Sequence, residues 1–218
     1  MSCPICEKRK AERFCPAKGE KICAVCCGKE REVSIDCPPD CSYLVAAHRY
    51  EDEHQRSLAA DTPLLDVKVS QDVIYAHQNV LSGIAFTAAK FSAAHTATTD
   101  PDVLAALQAL AETYKTLGSG IYYEKPPGAA LPRELYATLG QFLNEAKQSA
   151  AEGTGSHAFA SAAPIKDSDV FSLLVFLYRM GLLRTNGRPR ARRYIEFLRS
   201  QFPVAPELKR EESRIIVP

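Results

Sequence analysis

Residues 1–41, MSCPICEKRKAERFCPAKGEKICAVCCGKEREVSIDCPPDC, decide the architecture, because they hold all eight cysteines of a 218-residue chain. The cysteines stand at Cys3, Cys6, Cys15, Cys23, Cys26, Cys27, Cys37 and Cys41, and two pairs, Cys3/Cys6 and Cys23/Cys26, are spaced Cys-x2-Cys. A tight turn between two such thiolates lets both reach one ion at about 2.3 Å, and zinc completes a tetrahedron with four ligands of this kind. Eight cysteines make two four-thiolate sites. The stretch contains no histidine, so an all-cysteine ligand set leaves no site half filled. Two structural Zn2+ per chain are therefore expected.

Adjacent Cys26 and Cys27 point their side chains apart and serve different ions more easily than the same one. If Cys3, Cys6, Cys23 and Cys26 form one site, then Cys15, Cys27, Cys37 and Cys41 form the second, and the two interleave along the chain as a cross-brace. In this the segment resembles the B-box class of cross-brace zinc domains. Phe14-Cys15 and Ile22-Cys23-Ala24-Val25-Cys26 stand where that class has a lone Phe-Cys and an Ile-Cys-x2-Cys knuckle. Lys18 occupies the place of an acidic ligand, for which Cys27 substitutes, and Cys37 and Cys41 replace the later histidines. The resemblance implies this ligand topology and a surface for protein interaction or self-association, without implying ubiquitin-ligase activity.

Burial alone does not fold the segment. Its large apolar side chains are Ile5, Phe14, Ile22, Val25, Val33 and Ile35, too few to offset about 1–2 kcal/mol of backbone entropy for each ordered residue. Metal binding has to supply the difference. No basic, apolar leader precedes Cys3, so the expected compartment is the cytoplasm, where closely spaced cysteines ligate metal more often than they form disulfides. A catalytic zinc needs an open coordination position, which a closed four-thiolate set does not leave. Each such centre carries a formal charge of about −2 and calls for cations nearby. Lys8, Arg9, Lys10, Arg13, Lys18, Lys21, Lys29 and Arg31 are interleaved with the cysteines and fit that role, with a nucleic-acid-facing surface as the alternative.

Beyond Cys41 the pattern turns helical, giving the expected fold class: a small two-zinc cross-brace module (residues 1–42), a connecting helix or linker (43–66), an all-α helical domain (67–203) and a tail (204–218). Ser42 is placed to cap a helix to about Ala60 that contains Glu51-x2-His54. A di-iron bundle needs a second such pair and two further glutamates, so a solvated face is the reading. A long helix is expected from Ser70 to His95, with His77 and His95 at the edge of its apolar stripe as buried, hydrogen-bonded residues. Further helices are expected from Asp100 to Gly118 and from Pro132 to Ala151, separated by a turn-rich stretch with Tyr122 and Tyr123. A loop over residues 153–164 follows, and its Gly153-x-Gly155 lacks the Gly-Lys-Ser/Thr ending of a phosphate loop. Asp167 or Asp169 caps a helix whose polar strip is only Ser172 and Arg179; such a helix belongs at the centre of the core. The apolar run Val170–Leu183 is too short, and with Arg179 too charged, to span a bilayer.

A last helix is expected from Pro189 to Phe202, opening with Arg188, Arg190, Arg192 and Arg193 and carrying Arg199 further on. Cations at a helix amino terminus oppose the macrodipole, so an anion nearby is expected. The chain has 27 basic and 26 acidic residues, which argues against a chain-wide polyelectrolyte. Locally, residues 166–218 hold 11 basic and 6 acidic residues, whereas residues 69–165 hold 5 and 8. The arginines suit salt bridges to that acidic middle segment, a partner protein, or docking on nucleic acid. No convergent catalytic set is read from the sequence, neither a nucleophile paired with a histidine nor clustered carboxylates with a ligand pocket. The expected function is a non-catalytic zinc-binding adaptor with a protein partner and no membrane association; the alternative is a nucleic-acid-binding regulator using Arg188, Arg190, Arg192, Arg193 and Arg199.

Overall fold

The computed structural model describes residues 1–54, 57–152 and 164–202. The loop expected over residues 153–164 and the tail from 204 therefore lie, apart from Pro164, outside the described residues. Two strands, β1 (Arg13–Cys15) and β2 (Glu20–Ile22), form an antiparallel hairpin with Phe14 opposite Lys21. The hairpin turn needs Gly19, whose φ of 68° lies in the left-handed region. Helix α1 (Ala24–Glu30) follows directly and α2 (Ser42–Glu53) extends from Cys41. Of the six large apolar residues in the module only Ile22 and Ile35 are fully buried, while Phe14, Val25 and Val33 are exposed. Cysteines make up most of this small core.

The remainder is helical: α3 (Gln71–Ala76), α4 (Gln78–Ala94), α5 (Asp100–Leu117), α6 (Ala130–Glu152), α7 (Asp167–Arg184) and α8 (Arg193–Ser200). Helix α7 is the core helix expected from its composition. Val170, Leu173, Leu174, Val175, Leu177, Tyr178 and Gly181 are buried along it, and it packs on α3, α4, α5 and α8. Glycine is required at 181, because a Cβ there would stand 2.7 Å from both Leu104 Cδ2 and Tyr194 Cε1. Asp169 accepts a hydrogen bond from the Lys166 backbone N–H at 3.2 Å, so the carboxylate closes the first turn from within the helix and Lys166 is the cap position.

Three element boundaries differ from the sequence reading. Helix α2 stops at Glu53, short of Ala60. The expected helix over residues 70–95 is broken at His77, where φ is −118° and ψ is 29°. The break leaves His77 buried, with its Nε2 3.6 Å from Asp169 on α7; His95 instead is partly exposed, stacked on Phe91 at 4.3 Å and 3.8 Å from Glu134. The last helix starts at Arg193, not Pro189, because residues 186–192 bond to the amino-terminal module. Arg188 and Arg192 therefore do not share a helical face with Arg199.

Arg179, half of the polar strip on α7, has a tertiary role. Its guanidinium donates to the Leu64 carbonyl, to that of Leu65 at 2.8 Å and to that of Val67 at 2.6 Å, fastening the connecting segment across the helix. Leu64 itself has a φ of 62°, a strained value for a branched residue that these bonds hold in place. No described helix is long and apolar enough to cross a membrane.

Candidate metal centre

Cys3, Cys6, Cys23 and Cys26 converge until their sulfurs all lie within 4.8 Å of one another, and three of the four are buried. The local folds that do this are two knuckles. The first turns back after Cys3, whose carbonyl accepts from Glu7 N and whose N–H donates to Arg9, both at 2.7 Å; Glu7 takes a φ of 54°. The second is the start of α1, where Cys23 Sγ accepts from Cys26 N at 3.3 Å. Cys23 N donates in turn to Cys3 Sγ at 3.2 Å, tying the knuckles together. Sulfurs on a tetrahedron of about 2.3 Å bonds stand about 3.8 Å apart, and Cys6 Sγ and Cys23 Sγ are 3.9 Å apart. The set fits one zinc ion.

Three of these thiols, Cys3, Cys6 and Cys26, differ in how readily they lose a proton. Backbone N–H groups, that of Lys8 above all, hold the Cys6 thiol down at about 6. Burial pushes Cys3 upward, but the amides of Cys23, Cys6 and Ile5 outweigh it and the net shift is downward. Cys26 goes the other way, to about 12, through burial and the neighbouring sulfurs of Cys23, Cys6 and Cys3. Anions crowded together in a buried site make the last proton hard to remove. A divalent cation reverses this balance, so metal uptake would release the Cys26 proton.

The remaining cysteines are arranged differently. Cys15 and Cys41 are buried and Cys27 and Cys37 partly so. Burial raises the Cys37 thiol, with Cys41 and Cys15 adding to the effect, whereas Cys27 Sγ accepts from Arg31 at 3.8 Å. Among the described residues, Cys3, Cys6, Cys23 and Cys26 are the one group of three or more His, Cys, Asp or Glu gathered to ligand distance.

The ion pairs of Arg190, Arg192 and Arg193 run to the module and to α2, and among the described residues their one side-chain hydrogen bond to the middle segment is that of Arg192 Nε with the Thr98 carbonyl at 3.3 Å. Arg188 donates to the carbonyls of Gly28 at 3.0 Å and Arg31 at 2.5 Å, capping the carboxy-terminal end of α1 from a position 160 residues further along the chain. Arg190 N donates to the Glu32 carbonyl at 2.8 Å, and Arg192 pairs with Asp36. Arg193 pairs with Asp52 and lies 3.6 Å from Glu51 on α2. Arg199 is exposed on α8.

At the centre of this contact is Glu32, 3% exposed, whose carboxylate accepts from Asn186 Nδ2 at 2.7 Å and lies 3.4 Å from His48 Nε2. Burial works against its charge, but hydrogen bonds from His48 and Asn186 and the charges of His48 and Arg188 win, leaving its pKa below the usual glutamate value. The anion expected near the last helix is Asp100. This residue, fully buried at the start of α5, accepts from the backbone N–H groups of Tyr194 and Ile195, both at 3.1 Å, and so caps α8 from another helix. Glu32, Asp100, Asn186 and Arg179 escape sequence reading because their partners lie roughly 90–155 residues away; Asn186-Gly187 reads as a helix stop and nothing more.

Comparison with protein-family models, with curated proteins and with solved structures finds no match for this chain.

Proposed function

We propose that this protein is a non-catalytic zinc-binding adaptor in which metal holds a small interaction module against a helical domain. The observation that carries this reading is the four-cysteine cluster buried in a module with almost no other core, while Phe14, Val25 and Val33 face outward from the same module. Exposed apolar side chains on a small rigid frame suit a protein partner. Zinc in the Cys3/Cys6/Cys23/Cys26 site supplies cross-linking, with no open position for substrate. We assign the second ion of a B-box-like cross-brace to Cys15, Cys27, Cys37 and Cys41; the proximity of Cys41 and Cys15 to Cys37, whose thiol they help to raise, supports that pairing.

The test is capture of partners on the zinc-replete protein and on a Phe14→Ser/Val33→Ser variant. The reading expects unchanged zinc content and loss of specific partners in the variant; identical capture by both proteins refutes it.

The rival, a nucleic-acid-binding regulator, draws on Arg188, Arg190, Arg192, Arg193 and Arg199, of which Arg190 and Arg199 are exposed. Arg188, Arg192 and Arg193 are committed within the molecule, which weighs against it. Mobility shift on DNA and RNA pools at several salt concentrations separates the two. Binding that falls steeply with salt and with Arg190→Ala/Arg199→Ala favours the rival.

A further inference from the structure

Helices α5 and α6 and the loop joining them line an open pocket of about 500 Å3 to which the cysteine module contributes no residue; of its tyrosines, Tyr114 and Tyr136 are buried and Tyr122 is exposed. Three tyrosines line it, Tyr114, Tyr122 and Tyr136, together with the carboxylates of Glu124 and Glu145, and no lysine or arginine is in its lining. A hydrogen bond to Glu124 raises the Tyr122 hydroxyl; burial above all, with Glu124 adding to it, raises that of Tyr136, which shares a 3.1 Å hydrogen bond with Thr113. The loop carrying Tyr122 and Glu124 is anchored at its far end, where Arg133 donates to the carbonyls of Pro127 at 3.0 Å and Gly128 at 2.6 Å. The Tyr114 ring already attracts a cation: Lys147 Nζ lies 5.8 Å from its centroid, and that ammonium is neutralised by Asp167 at 2.5 Å.

Gly140 adds an independent pointer. It lies in the interior of α6, where glycine destabilises a helix by roughly 0.5–1 kcal/mol relative to alanine. Its backbone is not left-handed, and the nearest atom a Cβ would meet is Leu110 Cδ2 at 4.0 Å, an ordinary contact. Neither conformation nor packing calls for glycine here. What the missing side chain leaves is room in the cavity.

We propose that this cavity binds a small organic cation bearing an alkylated ammonium group. Phenol rings present negative faces that attract such a cation, and the attraction strengthens when water is excluded. Glu124 and Glu145 supply the opposite charge and disfavour anions. Leu110 and Leu117 offer apolar surface to the alkyl substituents.

The zinc-replete full chain is titrated with tetramethylammonium and with choline, followed by amide and tyrosine-ring NMR shifts, beside the neutral isostere 3,3-dimethylbutan-1-ol. Saturable shifts at Tyr114, Tyr122 and Tyr136 are expected, with the isostere at least about tenfold weaker. Gly140→Leu should abolish the shifts and Glu124→Gln should weaken binding about tenfold. Where Gly140→Leu disturbs α6, Tyr122→Ala on the exposed loop gives the same readout. The proposal is overturned if neither cation saturates by about 50 mM, well above the range of ordinary ligand sites. It is equally overturned if the isostere binds as well as the cations, or if Glu124→Gln and Tyr122→Ala bind like the wild type.

Discussion

Replacing Asp100 with alanine isolates the contact that seats the last helix. In the folded chain this carboxylate is fully buried and receives two backbone N–H groups, from Tyr194 and Ile195, at 3.1 Å each. Hydrogen bonds to a charged group contribute roughly 1.5–3 kcal/mol apiece, and a buried donor left without an acceptor costs about 1–3 kcal/mol. Against this stands the cost of burying the charge, which outweighs the bonds from Tyr194, Ile195 and Thr185 and lifts the Asp100 pKa above its usual range. The net expectation for Asp100→Ala is a loss of about 2–4 kcal/mol. For a chain of this length that corresponds to a fall in Tm of roughly 5–15 °C. Asp100→Asn keeps one acceptor oxygen and should lose about half as much. Urea unfolding with zinc in excess measures both, and amide exchange at Tyr194 and Ile195 should accelerate more than that of the α7 core. A change below about 0.5 kcal/mol for Asp100→Ala, the range of ordinary surface substitutions, would refute the capping role, as would an asparagine variant less stable than the alanine one.

Other perturbations test the packing and the electrostatics. Gly181→Ala forces a methyl to within 2.7 Å of Leu104 and Tyr194, and thermal unfolding should show a loss of about 1–3 kcal/mol. Arg179→Ala releases the carbonyls of Leu64, Leu65 and Val67, so limited proteolysis should cut faster between residues 54 and 70, with Arg179→Lys intermediate. The depressed pKa of Glu32 contributes stability above about pH 4.3, the ordinary glutamate value, and that contribution disappears as pH falls through the folded value. Proton uptake at Asp100, whose pKa is raised by burial, acts in the opposite sense: this proton-linked gain, separate from the capping bonds, is present at low pH and is lost as pH rises through the folded value. Stability measured from pH 7 down to pH 3 should therefore fall less steeply in Glu32→Gln than in the wild type, and a parallel decline would contradict the assignment. Chelation should unfold the module and free the Arg190 amide from Glu32, seen as faster exchange there while the Leu173 and Leu174 amides stay protected.

Local pattern was enough for the helices that pack by their own stripe. The nearly all-apolar face of α7 announced its central position, and Asp100-Pro101 marked the start of α5, although the cap residue is Thr99. The pairing of Cys3 with Cys6 and of Cys23 with Cys26 was equally legible, since a two-residue spacing leaves two thiols little choice but a common centre; that the two pairs meet was one arrangement among several in the sequence, and the folded chain gathers them. What stayed hidden depends on contacts between distant parts of the chain. His77 interrupts a continuous helical pattern because its partner, Asp169, is on another helix. Arg188 and Arg192 sit in an apparently helical run, yet their partners belong to the module and draw the backbone out of the helix. Spacing carries no record of pairings across 150 residues, and a cluster of arginines has the same local signature whether it meets a partner or its own chain.

The decisive quantity is the number of zinc ions the chain holds. Elemental analysis of the purified protein, beside Cys3→Ser/Cys23→Ser, should give two zinc ions per chain in the wild type and one in the variant, with the module's amide dispersion lost on chelation. A wild-type value well below two ions per chain, or a content that the double substitution leaves unchanged, would contradict this.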